Sequence, residues 1–245
     1  MDSMLIFYGI LFLVAFLYAS VGHGGASGYL ALMALYGFAP EIMKPTALLL
    51  NLFVSLISFI QYYRGRHFKG SIFLPLALAS IPLAFVGGMI SLDSHLYKTI
   101  LGVLLLLPAL RFLILPNTGE KDMKAPNTLI SVGIGASIGF LSGLIGIGGG
   151  IILSPVLLLL KWTNQKQTAA ISALFIFVNS LAGLAGQFSK GIEFSSDMFT
   201  YVLIAIAGGL AGSWLGALKF NQSVLKYLLS LVLLAAAYKL LFTHA

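Results

Sequence analysis

The sequence predicts an all-α, polytopic membrane protein of two inverted repeats, each a glycine-tipped broken helix or helical hairpin plus three spanning helices. Three observations carry this expectation. Of 245 residues, 59% are hydrophobic and 9% charged, and the mean hydropathy is +1.02, which places the chain outside the soluble globular class. Its apolar runs do not alternate with polar residues, and this excludes spanning β-strands. The same five-part rhythm of apolar runs occurs twice, each time broken by a glycine cluster.

The first repeat, residues 1–115, contains apolar runs at 4–20, 25–36, 46–63, 72–90 and 97–115. The first run follows Asp2 without a basic leader and reads as a retained helix rather than a cleaved signal peptide. A polar stretch, 116–126, holds Glu120, Lys121, Asp122 and Lys124 and forms the inter-repeat connection. The second repeat, 127–245, has runs at 127–145, 150–160, 167–187, 198–218 and 224–242. At about 1.5 Å per residue, the 18 residues of 46–63 give roughly 27 Å of helix, enough to cross a bilayer core. The runs 25–36 and 150–160, with 12 and 11 residues, reach only about 16–18 Å and should stop part-way.

Matches across the halves follow one order. Gly22, Gly24 and Gly25 return as Gly146, Gly148 and Gly149 at a shift of 124 residues. Lys44, Thr46 and Ala47 return as Lys166, Thr168 and Ala169 at 122, and Leu52, Phe53 and Ser58 as Leu174, Phe175 and Ser180 at the same shift. Gly88, Lys98, Leu101 and Ala109 return as Gly216, Lys226, Leu229 and Ala237 at 128. Polar and charged pairs in this ordered set point to duplication rather than to shared composition.

Charge placement bears on topology. The net charge of +7 comes from basic residues scattered over short connections, which suits membrane orientation and not a nucleic-acid partner. If each glycine motif turns the chain back, connections 64–70, 111–126, 161–166 and 219–226 share one side with ten Lys and Arg residues. The other side then holds four, Lys44, Lys98, Lys190 and Lys239. A mere kink in one continuous helix would give eight against six. The positive-inside rule favours the first arrangement, with the ten-charge side cytoplasmic, both termini outside and the halves inverted.

The two glycine stretches are Ser20-Val-Gly-His-Gly-Gly-Ala-Ser-Gly-Tyr29 and Leu144-Ile-Gly-Ile-Gly-Gly-Gly-Ile-Ile-Leu-Ser-Pro155. A helix that breaks at glycine and restarts presents free N–H groups at the positive end of its dipole, with no bulky side chain in front. Inside a membrane that is an anion site. Gly22, Gly24, Gly25, Gly146, Gly148, Gly149 and Gly150 are therefore the expected substrate-binding backbone. The Gly148–Gly150 run is not a dinucleotide fingerprint, because Ile151 follows it and no strand or ribose-binding acid frames it. Close helix packing is the bland alternative, and it suffices for a Gly-x-x-x-Gly such as Gly212 to Gly216.

Polar residues within the longer runs complete the expected site. Asn51, Ser55 and Ser58 fall on one helical face with Gln61 three residues further, and the matching helix carries Ser172, Asn179, Ser180 and Gln187. Neutral amides and hydroxyls donate hydrogen bonds to a permeant anion without fixing it by full charge; interhelical bonding that only packs the bundle is the alternative. His23 is the ionisable side chain inside a glycine motif, and its counterpart Ile147 is apolar. Asp2, Glu41, Asp93, Glu120, Asp122, Glu193 and Asp197 fall at the N-terminus or in connections, so neither a carboxylate proton relay nor a cation site is expected. With zero cysteines and no Ser-His-Asp, zinc-ligand or paired-carboxylate constellation, no enzyme activity, metal or cofactor is expected either.

Two halves of about 120 residues, each with a Gly-x-Gly-Gly motif after a first apolar run and a Lys-x-Thr-Ala start to the next helix, resemble the TauE/SafE sulfite exporter family. The second motif, Gly146-Ile-Gly-Gly-Gly-Ile-Ile-Leu-Ser-Pro155, carries the likeness most specifically. The first half departs from it at His23, Ala26 and Ala31, where the second has Ile147, Gly150 and Pro155. The resemblance implies a multi-pass protein of the bacterial or archaeal inner membrane that transports sulfite or small organosulfur anions. The expected function is thus export of such an anion, held near the midplane by helix N-termini at the two motifs. The alternative is a non-transporting scaffold or assembly partner whose glycines only pack helices. Expected partners are the anion and the lipid bilayer; homo-oligomerisation is left open.

Overall fold

The computed structural model describes residues 2–20, 23–114, 123–192, 196–216, 233–234 and 236–242, and these form nine α-helices and no strand. They are α1 (Asp2–Ser20), α2 (Ala26–Leu35), α3 (Pro40–Arg64), α4 (Gly70–Met89), α5 (Ser94–Ile114), α6 (Thr128–Ile145), α7 (Gly150–Leu159), α8 (Gln165–Phe188) and α9 (Ser196–Gly216). Helices α1, α3, α4, α6, α8 and α9 are long and apolar enough to cross a membrane. The short helices α2 and α7 have 10 residues each, about 15 Å, and fall where the glycine motifs interrupt the chain. Gly22, most of the inter-repeat connection and most of the run at 224–242 lie outside the described residues.

Local chemistry sets the ends of these helices. At α8, Asn164 accepts from the Gln167 amide while the Gln167 side chain accepts from the Asn164 amide, a capping box that starts the helix cleanly. At α6, the Asn127 side chain caps the Ile130 amide. Helix α3 starts at Pro40, six residues before the apolar run at 46–63, because proline at the first position is pre-set for a helix and gives up only an orphan N–H. This places Glu41 and Lys44 within a helix rather than in a connection.

Small residues determine how the long helices meet. Gly135, Gly139 and Gly143 on α6 lie against the carbonyls of Leu76, Ser80 and Ala84 on α4, so a Cβ at any of the three would collide with backbone. Gly208 and Gly212 on α9 lie in the same way against the carbonyls of Phe12 and Phe16 on α1. In both pairs the residue numbers rise together, so the partners run parallel. Without lipid-exclusion to drive them together, membrane helices rely on such close backbone approach. Helices α3 and α8 cross at the centre in the opposite sense, with Leu48 beside Gly183 and Asn51 beside Ser180.

The outer surface is apolar. Leu78, Leu129 and Leu203 are 71%, 81% and 69% exposed, as expected for a band facing acyl chains. Aromatic clusters mark the two ends of α3: Phe7, Tyr36, Phe38 and Tyr201 near its start, and Phe59, Tyr63, Phe68 and Phe73 near its finish. Rings at both depths fit the two interfacial belts of a membrane protein.

Candidate functional site

Both short helices restart at a left-handed glycine. Gly25, the N-cap of α2, has φ 96°, and Gly149, the N-cap of α7, has φ 76°. L side chains rarely adopt this conformation, so the break is written into the backbone. Neither helix has a side-chain cap, whereas α6 and α8 do. The first-turn N–H groups of α2 and α7 are thus left at the positive helix ends in the protein interior.

The two restarts converge on one side chain. A Cβ on Gly24 would lie 2.8 Å from Asn51 Oδ1, and one on Gly148 would lie 2.5 Å from Asn51 Nδ2. Both would also lie 2.9 Å from Ile176 Cγ2. Asn51 is the twelfth of the 25 residues of α3, half-way along a spanning helix, and is fully buried. Its Nδ2 donates to Ser180 Oγ on α8 at 3.3 Å, while its Oδ1 has no partner among the described residues. Ser55 Oγ, Ser58 Oγ and Asn179 Oδ1 are likewise buried and unpartnered, although the Asn179 Nδ2 donates to the Phe175 carbonyl at 2.8 Å. Buried polar atoms without partners are uncommon, because each forgoes its hydration, and a cluster of them is chemically suited to hydrogen-bond a small polar ligand.

His23 ties the first tip to the second half. Its Nε2 lies 2.9 Å from Ser154 Oγ on α7. Ser154 Oγ donates to the Gly150 carbonyl at 2.8 Å and lies 2.8 Å from Ser172 Oγ on α8. Because the Ser154 proton points to Gly150, both His23 Nε2 and Ser172 Oγ must donate to Ser154. Sequence reasoning had Ser172 on the right helix but missed Ser154, whose only signal was a hydroxyl one turn after the restart.

The other expected residues separate into three groups. Gly146 ends α6 in a left-handed turn at φ 89°, and Gly150 opens α7. Gln61 is exposed near the end of α3, and Gln187 donates to the Gly88 carbonyl at 3.1 Å at one end of the bundle; neither joins the cluster around Asn51. Gly22 lies outside the described residues. Two residues that sequence reasoning left out border the tips: Tyr29, whose buried hydroxyl packs at Gly25, and Ser142, beside Gly149, both without a side-chain hydrogen-bond partner among the described residues.

Long apolar helices around two broken ones, with uncapped N-termini meeting among buried neutral polar groups, define a multi-pass membrane protein of the transporter class. Residues 7–240 match the family model described as sulfite exporter TauE/SafE. The probable membrane transporter protein y4hK of Sinorhizobium fredii is 36% identical over 237 residues, 94% of this chain and 95% of that one. The probable membrane transporter protein YunE of Bacillus subtilis is 27% identical, covering 62% of this chain and 63% of its own. MJ0441 of Methanocaldococcus jannaschii, also a probable membrane transporter protein, is 28% identical, with 66% and 61% covered. No solved structure matches the chain. The chain belongs to the TauE/SafE family and is a membrane transporter.

Proposed function

We propose that this transporter exports sulfite or a related small organosulfur anion, held at mid-depth between the N-termini of α2 and α7. The observation that carries the reading is the convergence of two uncapped helix starts on buried Asn51. Each start carries roughly half a positive charge, and two of them brought to the same buried side chain in a low-dielectric interior repel one another, a repulsion that an anion bound there would offset. Ser55 and Ser58 hydroxyls are available to donate to oxyanion oxygens, and Asn51 Oδ1 is available to accept from a protonated one, as in hydrogen sulfite.

The pairing of helices supports two inverted repeats, 1–115 and 127–245, joined by 116–126. Exchanging the halves turns α4 with α6 into α9 with α1, and both pairs pack in parallel through glycines. The same exchange turns α3 into α8, and these two cross antiparallel. Equivalent helices that run in opposite directions fit an axis in the membrane plane, as inverted repeats have.

Purified protein in liposomes loaded with labelled sulfite tests the reading. Efflux should exceed that of protein-free vesicles, and an external organosulfonate should compete. Flux equal to that of empty vesicles for every sulfur oxyanion tried would sink it.

A further inference from the structure

At the end of the bundle where α3 starts and α4 and α8 finish, a cavity of about 240 Å³ opens between the helices. Its wall includes Glu41, Lys44, Leu144, Ser91, Gln187 and Lys190. Since a water occupies roughly 30 Å³ of liquid, there is room for a small oxyanion with part of its hydration. Lys44 is 6% exposed, and its Nζ donates to the carbonyls of Gly87, Gly88 and Ile90 at 3.3, 3.2 and 3.1 Å. No carboxylate pairs with it among the described residues. Carbonyls satisfy an ammonium's protons but leave its charge uncancelled, so the wall stays electropositive.

Two neighbours extend this. Lys190 Nζ donates to Ser91 Oγ at 2.9 Å on the same wall, and Gln187 shares the Gly88 carbonyl with Lys44. Glu41 opposes them from an exposed position at the rim. The Lys44 stem packs on the second glycine turn, where a Cβ on Gly146 would lie 3.1 Å from Lys44 Cγ. Leu144, which precedes that turn, also lines the cavity. The cavity is therefore separated from the turn before α7 by little more than one lysine side chain.

We propose that this cavity is an anion vestibule, a second and weaker site that takes a small oxyanion among Lys44, Lys190 and Gln187 and exchanges it with the second glycine turn. The proposal rests on the transporter reading above for its ligand. In passing, the oxyanion replaces one or more of the carbonyls that hold the Lys44 ammonium. Gln187, expected from the sequence to line the central site, acts here instead. The vestibule sits on the side of the four lysines, opposite Arg64, Arg66 and Lys69.

The chain has no cysteine, so a single thiol placed in the vestibule reads its potential without any need for transport. In purified Ile192→Cys protein, an anionic thiosulfonate reagent should react several-fold faster than its cationic counterpart. That ratio should fall in the Lys190→Gln background and rise in the Glu41→Gln background, both changes at exposed side chains. Millimolar methanesulfonate should slow the anionic reagent, and less so with Lys190→Gln. Equal rates for the two reagents, or no protection by methanesulfonate, would overturn the vestibule. In liposomes, Lys190→Gln should raise KM several-fold with kcat unchanged, and Glu41→Gln should lower KM. Unchanged KM in both, with wild-type flux present, would overturn the vestibule's role in transport. A preserved labelling pattern without any sulfur-anion flux would instead leave the vestibule standing and remove the sulfite reading.

Discussion

The two glycine tips share a backbone and differ in side chains. Both restart a helix at a left-handed glycine without a cap, and both abut Asn51. The second has left-handed glycines at Gly146, Gly148 and Gly149, with an apolar Ile147 between them that is buried in the core. The first has His23 in that place, bonded across to Ser154 of the opposite half. What persists between the halves is the set of N–H groups, which needs glycine geometry; what differs is the group that tunes or couples them. On the proposed reading, the anion is recognised by backbone at both tips, and one ionisable side chain makes the tips unequal.

The comparison presupposes that the halves are inverted, so the all-or-none experiment comes first. Phe68→Cys and Ile192→Cys, each in the otherwise cysteine-free chain, should react with an impermeant thiol reagent from opposite sides of intact cells, residue 192 from outside. Reactivity from the same side would remove the inverted-repeat arrangement and with it the equivalence of the tips.

Next in size is the residue that both tips share. Asn51→Leu removes the polar atoms facing Gly24 and Gly148 while filling a similar volume. Flux should fall at least 100-fold, a loss of about 3 kcal/mol, which matches one charge-assisted hydrogen bond with desolvation of its ligand. The melting temperature without anion should hold or rise, because an unpartnered buried atom is removed. Wild-type flux in this variant would show that the tips do not act through Asn51.

Glycine substitutions grade the comparison further. At Gly149 a Cβ meets Ile138 Cγ2 at 2.8 Å and Phe175 Cε1 at 2.9 Å, and at Gly25 it meets Tyr29 Cζ at 2.6 Å, both in left-handed backbone. Gly149→Ala and Gly25→Ala should each lose stability by at least about 1–2 kcal/mol from conformation alone. A change of affinity without a large change of stability is therefore better sought at Gly24. Gly24 is not left-handed, and the atoms nearest to a Cβ there belong to the side chains of Asn51, Ile176 and Ser55 rather than to backbone. Gly24→Ala should reduce sulfite-induced thermal stabilisation while costing less stability than Gly149→Ala. Gly212→Ala, where the new methyl meets the Phe16 backbone, should lower the melting temperature and leave affinity intact. Equal ligand-induced shifts in Gly24→Ala and wild type would return the tips to a packing role.

Much of this was legible in the sequence for identifiable reasons. Glycine clusters that break apolar runs of known length fix where helices stop, and both tips fell where that argument put them. The polar stripe at Asn51, Ser55 and Ser58 was readable because its spacing follows the helical period. Gln61 and Gln187 extend the same stripes, yet periodicity does not reveal where a tilted helix leaves the bundle. Lys44 was hidden for a different reason: proline at positions 40 and 45 reads as a break, whereas Pro40 opens the helix and Pro45 is carried within it. The α6 glycines 135, 139 and 143 matter only through the α4 backbone they touch, and a single chain read in order does not show its cross-half partner.

The smallest effect separates the tips most finely. His23 Nε2 must donate to Ser154, because the Ser154 proton is committed to the Gly150 carbonyl. A histidine that donates through Nε2 when neutral still donates through Nε2 when protonated, so charge can arrive at the other ring nitrogen without breaking the bridge between the halves. The first tip then gains charge when the imidazole is protonated, while the second, with Ile147, cannot. A protonated His23 adds positive charge beside the proposed anion site, so flux at low substrate should rise as pH falls and the imidazole takes up a proton. His23→Gln keeps an N–H donor of similar reach and removes the titration; it should flatten the pH profile by a few-fold at most and leave the maximal rate and melting temperature near wild type. His23→Ala also loses the bridge and should destabilise by about 1 kcal/mol. His67→Ala serves as the control outside the motifs. If His23→Gln retains the wild-type pH profile, His23 is a strut between the halves, and the two tips differ in packing alone.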